Sequence, residues 1–107
     1  MYATDRVVFG NPIGKYQGVQ HPLAMAWATL EAARHLTYSA AKLYDGKQAT
    51  SEQVGAQANA AKLVAAEAGY KACEAAVMAM GGMGYSREYH AERYLRESFV
   101  PRLAPVS

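Results

Sequence analysis

A stripe at spacings of three and four runs through Leu23, Trp27, Leu30, Arg34, Thr37, Ala41 and Tyr44. Such spacing is one face of a helix, and it predicts a helix over residues 23–45. Pro22 stands at the entry, where proline is tolerated, and Asp45-Gly46 supplies the stop. Glu31 lies within reach of Arg34 and His35 on one flank. A second stripe, Val54, Ala58, Ala61, Ala65, Ala68, Ala72, Ala75 and Ala79, predicts a longer helix over residues 51–80. Thr50-Ser51-Glu52-Gln53 has capping-box form ahead of it, and alanine is the best helix former. At 1.5 Å per residue that helix is about 43 Å long. Gly81-Gly82 ends it. A shorter third helix is expected over residues 87–97, with Ser86 as its N-cap and Tyr89, Tyr94 and Leu95 as its larger apolar residues. Pro101 and Pro105 then leave a loose tail over residues 101–107.

Residues 1–22 carry no comparable period. Gly10, Pro12, Gly14, Gly18 and Pro22 interrupt them, which marks an irregular loop region. A short extended run at Val7–Phe9 and a helical end at Tyr2–Arg6 both fit this stretch. The whole therefore reads as one all-α domain, with a loop region at 1–22, a helical part at 23–100 and a tail. It is an incomplete up-and-down bundle of two long antiparallel helices and a shorter third. Its alanine seam buries little area and leaves one side uncovered, so a further helix or a second chain is expected to cover it.

With 107 residues, of which 51% are hydrophobic, the chain has room for one small core and not for a Rossmann fold or a (β/α)₈ barrel. Eleven basic against nine acidic residues give a net charge of +2, which makes no electrostatic case for nucleic acid or a membrane surface. No run of about 18 apolar residues spans a bilayer. The opening MYATDRVVFG has no apolar stretch after a basic start, so the expected location is the cytoplasm.

Candidate chemistry is sparse. His21, His35 and His90 stand far apart and without ligand spacing, so no metal site is expected. Cys73 sits among alanines and reads as an inert thiol. Two segments are unusual. Met78-Ala79-Met80-Gly81-Gly82-Met83-Gly84-Tyr85 has more glycine than a helix stop needs. Absent side chains let a ligand or a second backbone come close, and a plain turn explains the segment as readily. In Arg6-Val7-Val8-Phe9-Gly10-Asn11-Pro12-Ile13-Gly14-Lys15-Tyr16-Gln17 an arginine fork suits phosphate, an aromatic face suits a nucleobase and a carboxamide can read its edge.

Taken together, these segments resemble the C-terminal helical domain of the acyl-CoA dehydrogenases. RVVFGNPIGKYQ is similar to that family's R-x-x-F-G-x-P-I-x-x-x-Q loop. HPLAMAWATLEAARHLTYSAAKLYDG resembles the helix that follows it. AAKLVAAEAGYKACEAAVMAMGGMGYSREYHAERYLRES resembles the next helix, the glycine turn and the helix beyond. The resemblance covers residues 2–100. It implies a homotetrameric flavoenzyme that oxidises acyl-CoA thioesters, with a glutamate base, FAD as hydride acceptor and an electron-transfer flavoprotein as the next electron carrier.

Carried onto this chain, the resemblance implies that Arg6 holds the FAD pyrophosphate of a neighbouring subunit. It implies that Phe9 and Gln17 lie against the adenosine end, and that Gly81 and Gly82 allow close approach of the cofactor. It carries no catalytic residue. Met78 stands where the family usually has a glutamine, and Pro105 stands at the usual position of the catalytic glutamate. Some family members place the base on the first helix of this domain, of which Met1–Arg6 resembles the last turn. Three expectations follow. The chain is the C-terminal part of a dehydrogenase completed by a partner chain and inactive alone, a non-catalytic helical assembly module, or a truncated gene product that self-associates.

Overall fold

The computed structural model describes residues 2–8 and 10–104. Its elements run in the order α1 (Tyr2–Asp5), β1 (Val7–Val8), β2 (Asn11–Pro12), a 3₁₀ turn (Ile13–Lys15), α2 (Gln17–Gly46), α3 (Ser51–Met80), α4 (Gly82–Tyr85), α5 (Ala91–Glu97) and α6 (Val100–Leu103). Both readings of the N-terminal stretch are realised. A single turn of helix leads into a two-stranded antiparallel ribbon that pairs Val7 with Pro12 and Val8 with Asn11. Gly10 turns that ribbon at a φ of 83°, a conformation that glycine adopts without steric cost.

Two 30-residue helices, α2 and α3, make up most of the molecule. They pack antiparallel, since Ser39 meets Gln57 near one end while Met25 and Met78 share a groove near the other. The start of α3 follows its local chemistry. Thr50 Oγ1 accepts the Gln53 N–H at 3.1 Å, and Gln53 Oε1 accepts the Thr50 N–H at 2.9 Å, so the capping box forms in full. The local pair on α2 forms as well, with Arg34 donating to Glu31 at 3.0 Å.

The start of α2 differs from expectation. The helix begins at Gln17, not residue 23, because the Tyr16 carbonyl accepts the N–H groups of both Val19 and Gln20. Pro22 therefore lies inside the helix, where residue 18 receives no backbone donor from it. The far end also shifts. Gly46 stays helical and Lys47 takes the left-handed conformation, with φ 56°.

The inward face of α2 is not the expected one. Trp27 and Tyr44 are each 67% exposed, while Ala33 and Ala40 are buried. The seam runs one position before Arg34 and Ala41 of the expected stripe, through small residues, because alanines let two helix surfaces interlock closely and indole or phenol rings hold them apart. On α3 the expected Ala61 and Ala68 are buried, joined by Ala66. Ala58 and Ala65 of the same expected stripe are exposed.

Beyond α3 the chain breaks into short pieces. Residues 86–90 form turns, with the Ser86 hydroxyl accepting the Glu88 N–H, so the third helix begins at Ala91 and not at residue 87. Residues 100–103 of the expected tail are helical. Pro101 falls in the first turn of α6, where its missing N–H costs nothing. The expectations at Phe9 and Pro105 lie outside the described residues.

The result is a two-helix slab with short helices on one flank, an incomplete up-and-down bundle. The Cα radius of gyration is 17.3 Å. A compact chain of this length has about 13 Å. Among the described residues the buried hydrophobic positions are all alanine.

Candidate functional site

Arg6 is held by its backbone at both sides. Its N–H donates to the Tyr2 carbonyl at 2.8 Å, and its own carbonyl accepts the Ile13 N–H at 2.7 Å. The first bond closes α1 and the second folds the ribbon back, so the exposed guanidinium projects from a braced position. Tyr2 also meets the Tyr89 ring edge-on at 5.6 Å, tying α1 to the turns ahead of α5.

The glycine segment divides into two parts. Gly81 ends α3 at φ 60° and ψ −138°, a conformation open essentially to glycine alone. Gly84 is buried, and a Cβ there would sit 2.4 Å from the Val77 carbonyl oxygen. Its missing side chain lets α4 fold tightly against the end of α3. Gly82 is different, since a Cβ built on it meets nothing within 4 Å. Of the three glycines, one serves the turn, one serves packing, and one faces open space.

These parts converge. A shallow pocket of about 450 Å³ is lined by Arg6 with Met78, Gly81, Gly82 and Met83. Tyr2, Ile13 and Val19 complete much of its wall, and the Arg6 guanidinium is the one cation among the lining residues. Gln17 does not line it. It is exposed at the start of α2, beside Gly18, which lines an adjoining groove of about 620 Å³. The two hollows share Val19, Met78 and Ala79. Tyr2 and Val19 carry no local signal that marks them as wall residues, because the turns from Arg6 to Gln17 decide which of them face the end of α3.

Of the remaining candidates, Cys73 and His90 are brought into one hollow. Cys73 is half-buried there with Met80, Tyr89 and Tyr94, and Met80 also lines the pocket at Arg6. Among the described residues, no three histidine, cysteine or acidic side chains gather into a set that holds a metal. No helix among them is long and apolar enough to cross a membrane.

Residues 1–104 match the family described as acyl-CoA dehydrogenase, C-terminal domain. The chain belongs to this family. It is 40% identical to acyl-CoA dehydrogenase FadE12 of Mycobacterium tuberculosis, over 99% of this chain and 27% of that protein. It is 39% identical to the mitochondrial short-chain specific acyl-CoA dehydrogenase of Homo sapiens, over 95% of this chain and 24% of that one. A solved structure described as the electron transferring flavoprotein of Acidaminococcus fermentans superimposes with a TM-score of 0.88 at 34% identity, covering 99% of this chain and 27% of that chain. The chain thus spans about a quarter of the length of the curated relatives it matches.

The human relative corrects one expectation. The cytoplasmic location does not stand, since a relative so similar over this region is named mitochondrial. Location is set by targeting segments and not by packed helices of this kind.

Proposed function

We propose that this acyl-CoA dehydrogenase domain supplies the pyrophosphate- and adenosine-side contacts of an FAD site within a larger assembly, and does not turn over acyl-CoA by itself. One observation carries the reading: Arg6 and Gly82, far apart in the sequence, line one pocket. A guanidinium fork matches the oxygens of a pyrophosphate, and the open space over Gly82 admits a ligand to backbone distance. Gln17, at the head of α2, and Phe9 are the proposed adenosine contacts. Met78, 74% exposed at the pocket edge, offers the cofactor only a weakly accepting thioether.

When bound, the flavin accepts a hydride from the substrate. The contribution of this chain is to hold and orient it. Removal of the α-proton requires a positioned base, and none is assigned to this chain. The base, the thioester pocket and the electron-transfer flavoprotein that takes the electrons belong to other chains or domains in this reading. A non-catalytic helical assembly module is the second reading, and the exposed Met78 at the cofactor-side position favours it.

The test is a visible absorption spectrum after incubation with FAD and desalting. The proposal expects a retained oxidised-flavin band that Arg6→Ala abolishes. Colourless wild-type protein overturns the flavin contact and leaves the assembly module. Steady FAD-dependent reduction of an artificial acceptor by the pure chain, across a range of acyl-CoAs, overturns the inactivity.

A further inference from the structure

The two sides of the Arg6 pocket come from distant parts of the chain. Arg6 stands on one side and the turn at Gly81-Gly82 on the other. Arg6 directly follows α1, and its N–H donates to the Tyr2 carbonyl at 2.8 Å, so its backbone goes where Tyr2 goes. A four-residue helix does not persist in water by itself. The placement of α1 therefore depends on what Tyr2 packs against.

Tyr2 packs against Tyr89. Their ring centroids lie 5.6 Å apart at an interplanar angle of 74°, the edge-to-face arrangement that ring quadrupoles favour. Tyr89 is in turn joined to the glycine side by a short, anchored stretch. Gly84 seats α4 against the Val77 backbone at the end of α3. The Ser86 hydroxyl then accepts the Glu88 N–H at 3.2 Å, in the turn that delivers Tyr89. A closed circuit results, from Gly82 through α4 to Tyr89, across the ring contact to Tyr2, and on to Arg6. Tyr89 itself lines the neighbouring hollow with Cys73 and His90, and not the Arg6 pocket.

We propose that Tyr89 is a positioning residue of the Arg6 pocket, whose ring contact with Tyr2 sets the Arg6 side against the Gly81-Gly82 side. It touches no ligand in that pocket and acts through Tyr2. An edge-on ring pair biases docked over undocked α1 by about two- to tenfold. A ligand that needs both sides binds only the docked population, so lost docking is read as lost affinity. Tyr89 is 41% exposed, so replacing it empties no core. The affinity measurement rests on the flavin reading of the pocket proposed above, whereas local amide exchange does not.

The test compares wild type, Tyr89→Ala and Tyr89→Phe by amide hydrogen exchange without cofactor, and by equilibrium dialysis against FAD. Tyr89→Ala is expected to speed exchange of the Arg6 and Ile13 N–H groups by about two- to tenfold, with the α3 amides at Ala61 and Ala68 unchanged. It is expected to weaken FAD binding by a similar factor, about two- to tenfold. Tyr89→Phe keeps the ring edge and restores both. Unchanged exchange at Arg6 and Ile13 in Tyr89→Ala overturns the proposal. So does faster exchange spread evenly over α3, which marks a general loss of stability, and so does FAD affinity equal to wild type despite faster local exchange. Wild type that binds no FAD overturns the flavin reading instead, and exchange at Arg6 and Ile13 still decides whether Tyr89 sets the pocket.

Discussion

The Arg102 guanidinium reaches back from α6 to the Glu67 carboxylate on α3, with bonds of 2.8 and 3.4 Å. The same group lies 4.4 Å from the centre of the Tyr70 ring, which itself packs 4.9 Å from Phe99. One arginine thus fastens the end of the chain to the middle of the long helix. Both charged side chains are at least one-third exposed, at 33% and 43%, so solvent screens the ion pair. Arg102→Ala is expected to cost about 1 kcal/mol, shared between the screened pair and the ring contact. Urea unfolding reads the loss. Unchanged stability shows the clasp to be decoration.

Tyr70 also links stability to pH. Its hydrogen bond to Glu74, with desolvation second, raises its pKa above the ordinary 10.0, while Arg102 opposes the shift. The folded chain therefore holds this proton longer than the unfolded one. The resulting stability is complete below the unfolded value near 10 and is lost as pH climbs through the folded value. Tyr70→Phe should flatten that part of the stability–pH curve. An identical alkaline decline in wild type and variant refutes the linkage.

The glycines separate folding from binding. Gly84→Ala pushes a methyl group into the Val77 backbone and should cost about 1–3 kcal/mol. Gly82→Ala meets open space and should leave stability within about 0.5 kcal/mol. If a cofactor comes close there, the same Gly82→Ala protein loses flavin retention while its melting curve stays in place. Equal retention in wild type and Gly82→Ala removes Gly82 from the site.

The ends of the long helices offer opposite signs. Thr50→Ala breaks the capping box and should lower stability by about 1 kcal/mol. Lys47→Gly relieves a left-handed lysine and should raise it by about 0.5 kcal/mol, after the larger entropy of the unfolded glycine is subtracted. Thermal melts of the two single variants check both directions.

Much of the helical layout was legible along the chain. The capping box at Thr50 and the alanine-rich body of α3 act within four residues, so their effect is readable locally. The start of α2 was harder. Pro22 suggested a boundary, but the turn at Tyr16 supplies enough backbone bonds for the helix to run through it. The third helix was shortened because the turns at residues 86–90 take up its first residues.

The site divides along the same line. Arg6, Gly81 and Gly82 stand out along the chain as candidates because glycine excess and an arginine-bearing loop are unusual locally, and the structure places all three on one pocket. Which glycine does what was not, because Gly84 owes its role to the Val77 backbone across a tight turn.

The residue order alone determined that two long helices form, where the second begins, and to which family the loop and glycine motifs point. These rest on interactions within a turn or on short patterns. Tertiary structure alone decided which face of α2 turns inward, since the approach of two helices rewards the smallest side chains and not the most apolar ones. It also decided that Arg6 and Gly82 line one pocket. That depends on how the N-terminal ribbon folds back toward the end of α3, an arrangement of distant residues that no local pattern encodes.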